Sequence, residues 1–228
     1  YAPPIILTYI ASVSSIVGCC ILLKFLYFCM DYPSLQIQVS SVIKPIALIA
    51  IVLCSFFALK ASDLKHIIIY SSAINVGYVV LLVFIPSAQI IILKFLLIDW
   101  VNKVSLFLIV AQKEDKSFLP GYFWVLFVAL TIICSAGLPL SAMFILKLNL
   151  LELLIRDGMF IEFIVIVISS AMSILYHYGM TQKIFMKDKI ISLSAYRSKP
   201  ENIGMILLIV LQIILFLSHN WFNKVWYF

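Results

Sequence analysis

An otherwise apolar stretch, residues 90–107, contains three ionisable side chains: Lys94, Asp99 and Lys103. A charge inside a bilayer costs several kcal/mol unless it is paired or hydrated, so such residues are functional candidates by default. Asp99 and Lys103 are four residues apart on one helical face, where they are able to pair, with Asn102 beside them as a polar partner. This spacing predicts either a structural ion pair or part of a proton or ion path, and we favour the path.

A second candidate lies in residues 133–147, where Gly137 and Pro139 interrupt an apolar run that ends in Lys147. Proline breaks a helix, and the freed backbone groups need protein or water as partners inside a membrane. Broken helices of this kind mark ion or substrate sites in transporters. Lys147 follows Pro139 by about two helical turns and so lies on the same side of the helix. The alternative is a packing kink with a lysine that snorkels to the interface near Glu152.

Other reactive side chains give weaker signals. His177 would titrate near neutral pH, but a lone histidine between tyrosines near a helix end is more often a hydrogen-bonded structural residue. The five cysteines form no C-x-x-C pair, which argues against a disulfide framework, a zinc site or an iron–sulfur site. The sequence also has no phosphate-binding glycine loop, nucleophile elbow or paired-carboxylate site.

The composition is that of a membrane protein. Of the 228 residues, 64% are apolar or aromatic and only 11% are charged, whereas about a quarter of the residues in soluble domains are charged. A span takes about 20 residues, so the chain has room for roughly seven spans and little else. The net charge of +6 is therefore interpreted as a signal for membrane orientation rather than for nucleic-acid binding. A soluble enzyme is excluded.

The apolar runs predict an all-α, polytopic fold that forms a single membrane domain over residues 1–228. The fifth of about seven transmembrane helices is expected to be broken at Gly137 and Pro139. The predicted spans are 5–28, 42–59, 67–85, 90–110, 122–150, 159–186 and 203–218.

Basic residues are unequally divided between the two sides of this predicted domain. The connections after the second, fourth and sixth spans hold most of them, and the opposite side holds Arg156 and Lys224. By the positive-inside rule the basic side, with the N-terminus, faces the cytoplasm or the mitochondrial matrix, and the C-terminus lies across the membrane. The residues of the basic side are Lys60, Lys65, Lys113, Lys116, Lys187, Lys189, Arg197 and Lys199.

Three short motifs are the most recognisable parts of the chain. Residues 58–78 read ALKASDLKHIIIYSSAINVGY, residues 135–147 read SAGLPLSAMFILK, and residues 173–178 read SILYHY. They resemble the patterns ALxQTxIKRLLAYSSIxHxGY, SLAGIPPxxGFxxK and SxxYYY of the antiporter-like membrane subunits of respiratory complex I, most closely those of the NADH dehydrogenase subunit 2 family. The opening, Tyr1 to Pro4, is similar to the GAPxP sequence that leads into that family's eighth helix.

The resemblance covers almost the whole chain and implies half of an antiporter-like fold, helices 8 to 14 of fourteen. The missing N-terminal half is then expected on a companion chain, as from a split gene. Other membrane-arm subunits and lipids, including cardiolipin at the basic side, are the further expected partners, and nucleic acid is not. The implied location is the mitochondrial inner membrane, with the N-terminus on the matrix side and the C-terminus on the intermembrane side.

The activity implied by the resemblance is proton pumping by NADH:ubiquinone reductase. No cofactor is expected in this chain, because NADH, FMN, the iron–sulfur clusters and ubiquinone bind elsewhere in such a complex. Lys147 matches the lysine of the broken twelfth helix, which exchanges protons with the intermembrane side, and Lys103 matches a helix 11 lysine of related subunits. Asp99 completes the expected proton-translocation set, and Lys65 and His177 are auxiliary candidates.

Two positions depart from the family pattern. Ser15 stands where the family has its helix 8 lysine, and Asn75 stands where it has the histidine before Gly77 and Tyr78. A serine hydrogen-bonds to water but does not hold a positive charge. Either Asp99 and Lys103 with trapped water bridge this gap, or the chain does not pump through the usual path.

Two other functions stay open beside this one. A free-standing cation/proton antiporter would share the fold and the lysine on a broken helix but would act without a redox enzyme. A structural complex I subunit with an inactive channel would keep the same charges as packing pairs.

Overall fold

A computed structural model describes residues 17–29, 31–114, 122–139, 141–185, 204–214 and 216. Within these residues all the regular structure is helical, which confirms the predicted all-α fold. A short 3₁₀ turn, Pro86–Ala88, separates the third helix from the fourth. The α-helices are α1 Val17–Cys29, α2 Pro33–Lys60, α3 Leu64–Val83, α4 Gln89–Glu114, α5 Tyr122–Ala136, α6 Ala142–Arg156, α7 Phe160–Phe185 and α8 Gly204–Ile214.

Three of these helices, α2, α3 and α7, are long and apolar enough to cross a membrane by length and composition. The described helices overlap all seven predicted spans, and the fifth span corresponds to two helices. α2 begins at Pro33, well before the predicted residue 42, because proline suits the first turn of a helix even though the polar residues that follow lower the hydropathy. Residues 5–16, with Ser15, and residues 217–218 are predicted span residues outside the described part.

The break between α5 and α6 consists of two capped helix ends. The chain leaves α5 through Gly137, whose φ of +71° lies in the left-handed region that glycine adopts at low cost. The N–H of Gly137 donates to the carbonyl of Cys134 at 3.2 Å, and the next N–H donates to the carbonyl of Ile133 at 3.2 Å, which completes a Schellman motif. Ser141 then caps α6, its Oγ accepting a first-turn N–H at 3.2 Å. The predicted break is therefore a gap between two helices, not a kink.

α3 is the central helix of the described part. It packs against α2, α4 and α7, and its C-terminal residues 77–83 are all buried. By contrast, α2 and α7 keep most of their surface outside the core, where large apolar side chains are exposed. Such continuous apolar surface is typical of helices that contact lipid or other membrane subunits.

The ends of α2, α4 and α7 meet on one side of the bundle. Lys183, near the end of α7, donates from Nζ to the carbonyl of Ala61 at 2.5 Å, just after α2. Lys113, near the end of α4, donates to the carbonyls of Lys183 and Ile184. The three basic connections identified in the sequence therefore begin at the same end of the bundle.

Gly77 lies at a close approach between α2 and α3. A Cβ at this position would lie 2.5 Å from Ile51 Cγ1, so an added methyl group forces the isoleucine or the helices to move. We expect Gly77→Ala to destabilise the fold by about 1–3 kcal/mol. Ile51→Ala removes the crowded atoms, so the double variant should lose less stability than the sum of the two single losses. Thermal inactivation of the purified assembly measures all three.

Gly179→Ala is the matched control, because Gly179 also lies inside a helix but has no atom within 4 Å of the position of its Cβ. It should leave stability unchanged or raise it slightly. Equal losses for Gly77→Ala and Gly179→Ala would show that the α2–α3 contact is not tightly packed.

Candidate proton-translocation site

The ion pair expected from the spacing is present on α4. Lys103 Nζ contacts Asp99 Oδ2, and their side chains are only 6% and 8% exposed. Taking either charge out of water alone would cost several kcal/mol, and each partner offsets that cost for the other. The predicted pairing is confirmed, while its role in transport stays a prediction.

Asn75, rather than Asn102, is the amide partner of this pair. Asn75 Nδ2 donates from α3 to Asp99 Oδ1 at 2.6 Å. Asn102 Oδ1 instead accepts a hydrogen bond of 3.4 Å from Gln212 Nε2 on α8. The expected role of Asn102 is therefore wrong. Its i, i+3 spacing allows contact with Asp99, but its oxygen meets Gln212 of α8 and its Nδ2 has no partner among the described residues.

Side chains from α1 and α7 lie near the ion pair. The buried Cys19 thiol of α1 is close enough to interact electrostatically with both Asp99 and Lys103. On α7, Tyr176 is close enough to interact with Asp99. Four helices, α1, α3, α4 and α7, therefore surround one buried carboxylate and its ammonium partner.

Lys147 lies at the helix break and is buried inside the protein. The residue is 7% exposed, and its Nζ donates to Ser173 Oγ of α7 at 3.3 Å. Helical side chains lean toward the N-terminus of their helix, which from this position leads back to the break. A Cβ on Gly137 would lie 3.1 Å from Lys147 Nζ. Burial against α7 excludes the alternative of snorkelling toward Glu152.

Dipoles, rather than a carboxylate, surround this second lysine. Ser173, the partner of Lys147, also donates a hydrogen bond of 2.9 Å from its Oγ to the carbonyl of Ala136, the last residue of α5. The C-terminal carbonyl groups of a helix carry partial negative charge and stabilise a nearby cation. Within the described residues no carboxylate is at ion-pair distance from Lys147. Its proton occupancy is therefore sensitive to any charge that approaches.

The remaining predicted residues occupy other positions. His177 is buried with Nδ1 2.8 Å from the carbonyl of Ser173, an arrangement that fits a structural histidine. Lys65 lines a cleft of about 800 Å³ at the basic end of the bundle, roughly 15 Å along α3 from Asn75. Pro139 lies in the exposed turn of the helix break. The structure does not bring Lys65 or Pro139 to the ion pair.

Polar side chains of α3 and α7 lie between the ion pair and Lys147. Tyr78 is one turn after Asn75 on α3, and its OH lies 2.5 Å from Ser169 Oγ on α7. Ser169 is in turn one helical turn before Ser173, the partner of Lys147. We call this set the polar series. Its members are Lys103, Asp99, Asn75, Tyr78, Ser169, Ser173 and Lys147.

The polar series consists of four direct contacts and two steps along a helix. The steps, one on α3 and one on α7, separate Cβ atoms by about 5–6 Å, so a proton crosses them only with a water molecule or a moving hydroxyl. The direct contacts are Lys103 with Asp99, Asp99 with Asn75, Tyr78 with Ser169, and Ser173 with Lys147. The polar series therefore extends from one buried lysine to the other, with two gaps.

Sequence reasoning did not assign Tyr78 and Ser169 to the site. The available signal was spacing: Asn75 and Tyr78 are three apart, and Ser169 and Ser173 are four apart, within apolar helices. That spacing places each pair on one face, but it does not show that the two faces meet.

Comparison with known families agrees with this architecture. A sequence model of the family described as "NADH:quinone oxidoreductase/Mrp antiporter, TM" matches residues 2–173. The chain belongs to this family. The multi-pass, antiporter-like membrane fold expected from the resemblance is thereby confirmed, and the finer assignment to subunit 2 stays a prediction.

Two curated relatives of the chain are only distantly similar in sequence. NADH-quinone oxidoreductase subunit N of Psychrobacter arcticus is 27% identical over 207 residues, 82% of this chain and 41% of the relative. Subunit N of Blochmanniella floridana is 25% identical, with 94% of this chain and 48% of the relative covered. The chain therefore spans less than half the length of these curated relatives.

A solved structure, that of the Mrp complex from a Dietzia species, is similar in fold. It superposes with a TM-score of 0.67 at 14% sequence identity and covers 79% of this chain and 45% of the other. At this identity the similarity establishes the antiporter-like fold alone.

Gly137 and Gly158 provide a matched pair for testing the helix break. Both have φ of +71°, so alanine at either position should cost about 1–2 kcal/mol of backbone strain. Only at Gly137 would the added Cβ crowd Lys147, since nothing lies within 4 Å of the Cβ position at Gly158. We expect Gly137→Ala to lower proton transport further than Gly158→Ala does at similar thermal stability.

The readout is the pH gradient formed by the purified assembly in proteoliposomes, divided by its turnover. Equal transport by the two variants would show that the position of the Lys147 side chain at the break has no part in transport.

Proposed function

We propose that this chain is the C-terminal half of a subunit 2-type, antiporter-like subunit of proton-pumping NADH:ubiquinone oxidoreductase. The observation that carries the proposal is the buried Asp99–Lys103 pair, connected by the polar series to Lys147 at a helix break. Intramembrane charges are costly, and their usual justification is transport. The names of two curated relatives, each a subunit of NADH-quinone oxidoreductase, support the redox-linked assignment.

The mechanism is electrostatic. Asp99 and Lys103 neutralise each other, so a charge change that draws Lys103 away leaves a carboxylate in a medium of low dielectric constant, where it attracts a proton. The polar series transmits this change toward Lys147, whose ammonium has only dipoles around it among the described residues. Lys147 then releases or takes up a proton on its side of the membrane.

The energies required are moderate. Moving one charge across 100 mV costs about 2.3 kcal/mol, and a tenfold change in the proton affinity of a site is worth about 1.4 kcal/mol. Each lysine must therefore change its proton affinity by clearly more than tenfold during the cycle. For Lys103, opening or closing its buried ion pair with Asp99 supplies a change of this size.

Lys103 takes the place of the helix 8 lysine that Ser15 replaces. Cys19, four positions after Ser15 in the sequence, interacts electrostatically with Asp99 and Lys103. An ammonium from α4 therefore reaches the region beside α1, the helix from which the family pattern supplies its lysine. In this proposal the lysine that carries the positive charge is on α4 instead of α1, but its ammonium group still lies near α1.

Location, orientation and partners follow from the same proposal. The chain lies in the mitochondrial inner membrane with the basic ends of α2, α4 and α7 on the matrix side, as the positive-inside rule favours. Neighbouring membrane-arm subunits cover the exposed apolar faces, and anionic lipids such as cardiolipin bind at the basic side. Redox cofactors bind to other subunits.

Neutralising the ion pair tests its role in transport. Removing Lys103 alone would bury an unpaired carboxylate and cost about 3–5 kcal/mol, so the test variant is Asp99→Asn with Lys103→Met. We expect the complex to assemble and to lose proton translocation, measured as protons moved per NADH oxidised in proteoliposomes. Lys44→Met is the matched control, because Lys44 contacts the Phe84 ring at 5.2 Å and lies outside the polar series. Normal pumping by the double variant would instead favour the structural-subunit function.

A charge-relocation variant, Ser15→Lys with Lys103→Met, distinguishes a transport role from a packing role. If the ammonium has changed helices, a lysine at position 15 should pair with Asp99 and restore part of the pumping that Lys103→Met loses. Restored assembly without restored pumping would contradict the relocation.

The second candidate function is a free-standing cation/proton antiporter, which the joint family description and the Mrp-like fold favour. Native purification in mild detergent followed by mass spectrometry separates the two functions. Co-elution with flavin and iron–sulfur subunits and with NADH:quinone activity supports the complex I proposal. Elution with antiporter-type subunits alone would overturn it.

A further inference from the structure

A small cavity lies on the side of α4 that faces α5, α6 and α8. A water-sized sphere has about 10 Å³ in which its centre can move, which is close to the minimum for holding one buried water molecule. The two polar side chains in its wall, Asn102 and Gln212, are 3% and 7% exposed. The lining residues are Ile98, Val101, Asn102, Cys134, Ala142 and Gln212.

The two amides of this cavity satisfy each other only in part. Gln212 Nε2 donates to Asn102 Oδ1 at 3.4 Å. Asn102 Nδ2 and Gln212 Oε1 are both fully buried and have no hydrogen-bond partner among the described residues. An unsatisfied buried polar group costs about 1–3 kcal/mol, so two of them on residues that line one cavity call for a shared polar partner.

The chemistry of the missing partner follows from counting donors and acceptors. The open positions are one NH₂ group and one carbonyl oxygen. Exchanging N and O in both amides leaves again one NH₂ group and one oxygen, so this result does not depend on how the amides are oriented. A metal cation would satisfy only the oxygen, and an anion would satisfy only the NH₂ group. The ligand must therefore donate and accept while remaining neutral and very small.

We propose that a single water molecule binds in this cavity, accepting a hydrogen bond from Asn102 and donating one to Gln212. It completes an amide–water–amide bridge that holds α8 against α4. A buried water with polar partners of this kind is a structural component of a protein rather than a solvent molecule in transit.

The bridge also lies between the two charged parts of the site. Asn102 is three residues after Asp99 on α4, whereas Cys134 and Ala142 flank the helix break. This step rests on the proposed function. The water is then a second polar contact between the ion-pair region and the break, separate from the polar series. Its removal should therefore lower proton transport without removing a titratable group.

The direct test is a high-resolution cryo-EM map of the purified native assembly. We expect one density peak within about 2.6–3.2 Å of both amides. Two direct hydrogen bonds between the amides, with no peak in the cavity, would overturn the proposal. A peak with four or more oxygen ligands at metal distances would overturn it as well.

Variants supply an independent readout. Asn102→Leu should lower the thermal inactivation temperature of the assembly by a few degrees, since it leaves the amide of Gln212 unsatisfied. Asn102→Leu with Gln212→Leu removes both polar groups and should recover part of that loss. The control Gln112→Leu changes another buried amide of α4, which is bonded to Trp124 Nε1 at 2.9 Å and does not line the cavity. Losses in the double variant equal to the sum of the single losses would contradict a shared water.

Proton transport by the assembled double variant separates the water site from the proposed function. A density peak in the parent together with normal pumping by the double variant confirms the water and overturns its part in transport. Failure of the proposed function would appear separately, as normal pumping when Asp99 and Lys103 are neutralised.

Discussion

The cost of a charge in a low-dielectric environment is the constraint on which the arrangement of this protein depends. Asp99 and Lys103 are tolerable inside the bundle only because they meet each other and because Asn75 satisfies a carboxylate oxygen. That contact requires α3 and α4 to pack in one register, and α3 is held by its close approach to α2 at Gly77. The ion pair on α4 therefore constrains how three helices, α2, α3 and α4, pack together.

The helix break solves the same problem with dipoles. Schellman and N-cap hydrogen bonds satisfy backbone groups that two helix ends would otherwise leave unpaired in an apolar medium. The negative end of α5 and the hydroxyl of Ser173 then surround Lys147. An ammonium stabilised by dipoles loses less when it gives up its proton than one held by a carboxylate. The proposed mechanism therefore assigns the two lysines to different steps, one to storing charge and the other to exchanging it.

α4 carries polar contacts in two directions from its ion pair. Through Asn75 it reaches the hydroxyl groups of α3 and α7, and through Asn102 it reaches the last described helix. Both connections consist of neutral polar side chains, which add no charge that the membrane would penalise. The exposed apolar faces of α2 and α7 indicate where lipid or other subunits cover this polar interior.

The sequence by itself determined the all-α membrane class, the break at Gly137 and the Asp99–Lys103 pair, because hydropathy, helix-breaking residues and i, i+4 spacing are local properties of the chain. The tertiary structure alone decided that Asn75 and not Asn102 contacts Asp99, that Tyr78 meets Ser169, and that Lys147 points into the break. These contacts join residues 24, 91 and 26 positions apart. Periodicity places a side chain on a face of its helix, but only the packing of all the helices decides which neighbour that face meets.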